Sequence, residues 1–279
     1  MKNKQLIDIT KKTGKIPGKT IAIFAGVHGD EKAGIMTLEY LNKELSVEAG
    51  TVYLVYANEQ AVKENKRFIK TNLNRLFIRT GKDATCYEEV RANELMDILD
   101  SCDALLDLHS YNEPSGEAVP FAICEPDCQD IVKNFNVPIV IDGFDAIEEG
   151  GSDGYMYNNN KYGICVELGA IESPEKFLEL GINTAYQFMQ YFGCVSNKVA
   201  KNTVKQTCMH ASSIYKKRDD VFSFNKKYKT FDQIDKNEVI AQDGTRDVLA
   251  KEDGFILFPR AEHPVGTEVF IVATPSSSS

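Results

Sequence analysis

In the stretch GVHGDEKAG, residues 26–34, a histidine, His28, and a glutamate, Glu31, stand three positions apart just after the apolar run TIAIFA. A second histidine, His109, closes another apolar run in LLDLHSYN. Imidazole nitrogens and a carboxylate oxygen are donors that a zinc ion takes, and two histidines with one carboxylate leave its fourth position open. Such an ion lowers the pKa of a bound water to about 7 and polarises a carbonyl, so the chemistry that His28, Glu31 and His109 point to is hydrolysis. Each residue also has a plainer reading. A glutamate that opens a helix is favoured by the helix dipole with no metal present, and a histidine after a strand can simply be hydrogen-bonded at the sheet edge. His210 and His263, the remaining two of the four histidines, fall in the C-terminal portion and read as surface residues.

Further groups suit a hydrolase. VELG places Glu167 on an apolar run, where a carboxylate is costly unless it is paired, solvated or kept for proton transfer. It could activate a bound water and hand the proton to a leaving nitrogen; the plainer alternative is that it points outward or meets a lysine. KRFIKTNLNRLF contains Arg67, Asn74 and Arg75. Guanidinium forks suit carboxylate recognition and, near a metal, the stabilisation of a developing oxyanion, although basic residues are more often ordinary surface charges.

Residues so far apart in the chain can meet only where strand ends are brought side by side. Nearly continuous apolar runs at TIAIFAGV, TVYLVYA, DALLDLH, VPFAIC, VPIVID and YGICVELG suit strands buried on both faces. Between them EKAGIMTLEYLNKEL, YEEVRANELMDILDSC and SPEKFLELGINTAYQFMQYFG space apolar residues as amphipathic helices do. The alternation predicts an α/β domain over residues 1–195, with a mixed central sheet flanked by helices and its functional groups beyond the carboxyl ends of the strands. From about residue 196 the texture changes to short strand-like pieces, DVFSFNKKYKTF, EVIAQDG, GFILFPR and TEVFIVA, which predicts a small β-rich C-terminal domain over 196–279. The terminal TPSSSS reads as a disordered tail.

The apolar fraction of 43% and charged fraction of 26% are those of a globular protein. A formal charge of -9 argues against nucleic-acid and anionic-membrane partners. No secretory signal or membrane-spanning run is present, so a cytoplasmic location is expected. Seven scattered cysteines do not look like a disulfide framework and are read as reduced; Cys124 and Cys128 lack the second pair or histidine spacing of a zinc knuckle.

GVHGDE, KRF, NLNRLF, DLH and VELG, in this order and at these separations, together resemble the aspartoacylase and succinylglutamate desuccinylase family, a branch of the zinc carboxypeptidase-like deacylases. EVIAQDGTRDVLAKEDGFILFPR is similar to the β-rich C-terminal part of those enzymes. The resemblance implies one zinc per chain on His28, Glu31 and His109, with Glu167 as general base and acid. It implies Arg67 as the group that polarises the scissile carbonyl, and Asn74 and Arg75 as holders of the substrate's α-carboxylate. The implied reaction cleaves the amide bond of a small anionic N-acyl amino acid. Two departures stand out. Asn72 occupies the position where the family carries aspartate. An arginine expected about ten residues before the base, to grip a side-chain carboxylate, is missing: an ungapped count reaches Tyr157, and Lys161 is the basic residue left to substitute, though as a point charge without a fork.

Two other readings compete: a metallocarboxypeptidase acting on a peptide C-terminus, and a non-catalytic relative that binds metal or carboxylate. A peptidase needs an open groove, whereas a deacylase has its pocket walled by the β-rich part, and the presence of that part favours the small substrate. The acyl group, the amino acid and a homo-oligomeric state are left open by the sequence.

Overall fold

The computed structural model describes residues 8–113, 117–196 and 202–276. Its strands are β1 (Ile9–Thr13), β2 (Ile16–Ala25), β3 (Ala49–Tyr56), β4 (Ala104–Tyr111), β5 (Phe121–Ile123), β6 (Ile139–Asp142), β7 (Tyr162–Ala170), β8 (Thr207–Lys216), β9 (Phe222–Phe224), β10 (Asp232–Ile234), β11 (Val239–Asp243), β12 (Arg246–Leu249), β13 (Gly254–Leu257) and β14 (Glu268–Pro275). Its helices are α1 (Lys32–Glu44), α2 (Glu59–Glu64), α3 (Tyr87–Asp100), α4 (Gln129–Val132), α5 (Phe144–Ile147), α6 (Ser152–Asn158) and α7 (Leu178–Tyr191). Eleven strands form one sheet in the order β1-β3-β2-β4-β7-β5-β6-β8-β14-β13-β10, and β12-β11-β9 form a separate three-stranded sheet.

The apolar runs of β2, β4 and β7 are continuous because alternate side chains enter opposite layers. Ile21, Ile23 and Ala25 of β2, Leu106 and Leu108 of β4, and Ile164, Val166 and Leu168 of β7 pack with α1 and α7. Ala22, Phe24 and Leu105 pack on the other side with α3 and α6. The same period of two puts Asp107 and His109 of β4, and Cys165 and Glu167 of β7, on the α3/α6 side. β2, β4 and β7 run parallel, so their carboxyl ends share one edge, while β5 enters antiparallel beside β7. The sheet is mixed, as expected.

The change of texture near residue 195 is not a break in the sheet. β8 pairs parallel with β6, and β14, β13 and β10 continue antiparallel from it. The C-terminal part is β-rich as expected, yet four of its strands extend the main sheet by backbone hydrogen bonds. Strands β1 and β8 carry few large apolar residues, which hid them from periodicity; β1 is an edge strand paired antiparallel with β3. Of TPSSSS, Thr274 and Pro275 lie on β14, and the Ser276 N–H donates to the Cys208 carbonyl at 3.0 Å. The rest of the expected tail, 277–279, lies outside the described residues. All seven cysteines are free. Among the described residues no helix is long and apolar enough to cross a membrane.

Candidate metal centre and its cleft

His28, Glu31 and His109 meet beyond the carboxyl ends of β2 and β4. The chain leaves β2 through Gly26, whose φ of +69° lies in the left-handed region that favours glycine. Glu31 is the N-cap residue of α1 but makes no side-chain capping hydrogen bond; its carboxylate turns to the imidazoles and accepts from the Ser110 N–H at 2.9 Å. Close approach of α1 to β4 depends on Gly34, where a Cβ would lie 2.8 Å from the Leu108 carbonyl oxygen. His28, Glu31 and His109 are 4%, 2% and 3% exposed, and one donor atom from each lies within 4.8 Å of the others.

The orientation of the rings is specific. His28 Nδ1 lies 2.7 Å from Glu31 Oε1, and His109 Nδ1 lies 3.1 Å from Glu31 Oε2. The opposite nitrogens are held from behind: His28 Nε2 donates to Asn72 Oδ1 at 3.0 Å, and His109 Nε2 stands 3.2 Å from Asp107 Oδ2. Partners of this kind orient ligating histidines. Asn72 thus fills the place of the family's aspartate with a neutral acceptor. Desolvation, with help from Arg67, drives the His28 pKa down to about 4, so the ring is neutral near pH 7. With Nε2–H given to Asn72, Nδ1 and Glu31 Oε1 are two lone pairs facing each other at 2.7 Å. That arrangement calls for a shared cation, and the donor set fits zinc. Burial opposes the ionised Glu31, but the charge of His109 and its hydrogen bond help keep the carboxyl well below its usual range. Burial likewise opposes protonated His109, and Asp107 and Glu31 outweigh it in the other direction.

Glu167 stands opposite His109 in the register of β4 and β7, just before the pairing shifts between His109 and Tyr111. Irregularities of this sort re-aim side chains beside sites. Glu167 is 8% exposed, and its Oε2 is buried without a hydrogen-bond partner. Desolvation, then the charge of Glu31, lifts its carboxyl to about 7 against the pull of His109 and two arginines.

Arg67 reaches back to Glu31, with Nη1 3.3 Å from Oε1. The loop that carries it is clamped by buried Glu88 of α3, which accepts from the backbone N–H of Ile69 at 2.7 Å and of Lys70 at 3.2 Å. Asn74 and Arg75 sit on a short turn of 3-10 helix that Asn72 caps by accepting from the Asn74 N–H at 3.0 Å. Arg75 pairs with Glu148 and lies 3.5 Å from Glu268 Oε1. Arg67, Asn74, Arg75, Glu148 and Glu268 line one cleft together with His28, Glu31, His109 and Glu167.

Lys161 does not belong to this cleft. Its ammonium donates to the carbonyls of Leu99 at 3.0 Å and Asp100 at 2.8 Å, closing the C-terminal end of α3, where helix carbonyls lack partners. Tyr157 is 40% exposed and lines a smaller adjoining cavity. Neither stands in for the missing arginine in the main cleft.

The cleft also holds residues that the sequence did not announce. Arg260 follows β13, with its Nε buried and unpartnered; desolvation and the neighbouring Arg67 lower its pKa. His263, read as a surface residue, lines the cleft too, its Nδ1 2.7 Å from the Glu268 carbonyl oxygen. Asp145 of α5 and Asp153 of α6 line the cleft as well. Desolvation and its neighbour Asp153 push the Asp145 carboxyl up to about 7, and desolvation with Asp107 pushes Asp153 up to about 6. No local spacing signals these residues, because α5, α6 and the turn after β13 reach the cleft only through the tertiary fold.

A family profile described as the succinylglutamate desuccinylase/aspartoacylase catalytic domain matches residues 17–190. A succinylglutamate desuccinylase from Shewanella denitrificans is 25% identical over 95% of this chain and 84% of its own length. An N-acyl-aromatic-L-amino acid amidohydrolase (carboxylate-forming) A from Danio rerio is 30% identical over 34% of each chain. Among solved structures, the succinylglutamate desuccinylase of Vibrio cholerae superposes with a TM-score of 0.81 at 19% identity, covering 96% of this chain and 85% of that one.

Proposed function

Because this chain belongs to the succinylglutamate desuccinylase/aspartoacylase family of amide-bond hydrolases, we propose that it is a zinc-dependent deacylase releasing a free amino acid from a small N-acyl amino acid. The observation that carries the reading is the convergence of His28 Nδ1, the Glu31 carboxylate and His109 Nδ1 beside the unpartnered Glu167 Oε2, one strand away in register. His28, Glu31 and His109 would hold a zinc ion, which would supply Lewis acidity and make a nearby water easier to deprotonate. Glu167 takes the proton of the attacking water at its free oxygen and passes it to the leaving nitrogen as the amide breaks. Arg67 donates to the carbonyl oxygen as negative charge grows on it. Asn74 and Arg75 hold the α-carboxylate, Arg75 through the N–H groups left free by Glu148, Glu268 and the Asn74 carbonyl. Arg260 adds a guanidinium to the same end, and Phe258 and Phe270 help wall the cleft from the C-terminal side, which suits a small substrate better than a peptide.

The test is elemental analysis of protein purified without chelator, alongside His109→Ala, followed by assays on N-acyl amino acids. About one zinc per chain, lost in the variant, together with amide cleavage, is the expected result. Wild-type protein that stays metal-free after zinc is supplied would overturn the mechanism.

A further inference from the structure

The cleft separates its charges. Arg67 answers Glu31, and Arg75 answers Glu148 and Glu268. Asp145 and Asp153 line another part of the same space, and the smaller cavity that continues from it shares both aspartates, Ile123 and Phe144 and is lined by no basic residue. Among the described residues no ion pair with lysine or arginine reaches either aspartate. Their carboxylates crowd glycine backbone: a Cβ on Gly154 would meet Asp145 Oδ1 at 2.2 Å, and one on Gly151 would meet Asp153 Oδ1 at 2.6 Å and Asn74 Oδ1 at 3.8 Å. Asn74 Oδ1 is itself buried and without a partner. Two carboxyl groups and an amide oxygen therefore face one space, with no lysine or arginine paired to either carboxyl among the described residues. That the space takes a ligand is supported independently by Glu167, nine-tenths buried, unpartnered and lining the same cleft.

An alkylammonium brings three donors and no acceptor, and its methylenes match the apolar wall of Ile123, Phe144 and Cys165. We infer that the acidic end of the cleft receives a cation, so that the N-acyl amino acid cleaved here has an aliphatic side chain ending in an ammonium. The inference rests on the deacylase reading above. It also accounts for the missing arginine: α6, the segment where that arginine was sought, carries Asp153, and an anionic side chain would meet repulsion there.

The experiment compares kcat/KM of the zinc-loaded enzyme on three sets: Nα-acetyl-2,4-diaminobutyrate, Nα-acetylornithine and Nα-acetyllysine; the uncharged Nα-acetylnorvaline and Nα-acetylnorleucine; and the anionic Nα-acetylaspartate and Nα-succinylglutamate. At least one diamino substrate is expected to exceed its uncharged counterpart and both anions by roughly tenfold or more, and Asp145→Asn with Asp153→Asn should bring the ratio to the uncharged counterpart close to one. Preference for an uncharged or anionic substrate, or a cation preference that survives both substitutions, overturns the inference and leaves the deacylase reading intact. No cleavage of any compound by zinc-loaded protein overturns the deacylase reading, and this inference with it. Should the variants fail to fold, calorimetry on the wild type decides: the free diamino acids must bind more tightly than norvaline or norleucine, and equal affinity refutes the proposal.

Discussion

At the scale of single residues, the proposed base Glu167 and the three proposed ligands differ in what their loss should do. Glu167→Gln keeps shape and removes the base, so zinc content should be unchanged while kcat/KM falls by about 10²–10⁴; a small loss measured on metal-replete protein would refute its role. The Glu167 carboxyl near 7 also sets a pH expectation. The ionised base is lost as pH falls through that value, and a bound dication lowers it, so the acid limb of kcat/KM should lie at or below pH 7. Asp145 and Asp153 give a stability test with the opposite sign. Their folded-state pKa values of about 7 and about 6 exceed the ordinary 3.8, so the folded chain holds these protons more tightly, and their contribution is lost as pH rises through those values. Asp145→Asn should therefore gain Tm relative to wild type between pH 5 and pH 8; a constant difference would show that the carboxyl is not strained. Lys161→Ala, by contrast, should change KM by less than about twofold, as a substitution outside the cleft does; a large rise in KM would restore it to the substrate site.

At the scale of elements, the catalytic loop depends on a helix that never touches the cleft. Glu88 at the start of α3 accepts from Ile69 and Lys70 and so fixes the segment from which Arg67 reaches Glu31. Glu88→Ala leaves two part-buried backbone donors without their acceptor, a cost of about 1 kcal/mol. The expected outcome is a lower Tm and reduced kcat/KM with zinc retained; unchanged kinetics would show that another contact holds the loop. The strand and helix assignments were legible for a related reason. β2, β4, β7, α1 and α3 are written in apolar periodicity strong enough to read locally, whereas β1 and β8 are defined by the partners they pair with, and SPEKF forms a 3-10 turn ahead of α7.

At the scale of the whole molecule, one sheet joins the metal centre to the C-terminal part. β6 hands over to β8, and the strands that follow bring Arg260, Phe258 and Glu268 round to the cleft. Arg260→Ala should therefore impair catalysis from outside the family-matched segment, raising KM or lowering kcat by roughly tenfold or more, with zinc content unchanged; wild-type kinetics would remove it from the site.

By itself the sequence singled out His28, Glu31, His109, Glu167 and the Arg67 to Arg75 loop as candidates, because these residues sit at the ends of strongly patterned elements, and the structure brings them to one cleft. It also determined the mixed α/β architecture, through runs that only a doubly covered sheet can bury. Only the tertiary structure decided that Lys161 closes a helix instead of meeting substrate, that Arg260 and two aspartates share the cleft, and that the C-terminal strands extend the main sheet. The physical reason is common to all three. Each depends on which surfaces become neighbours after folding, and a side chain's role there is set by the charges and unpaired atoms around it, which no local spacing records.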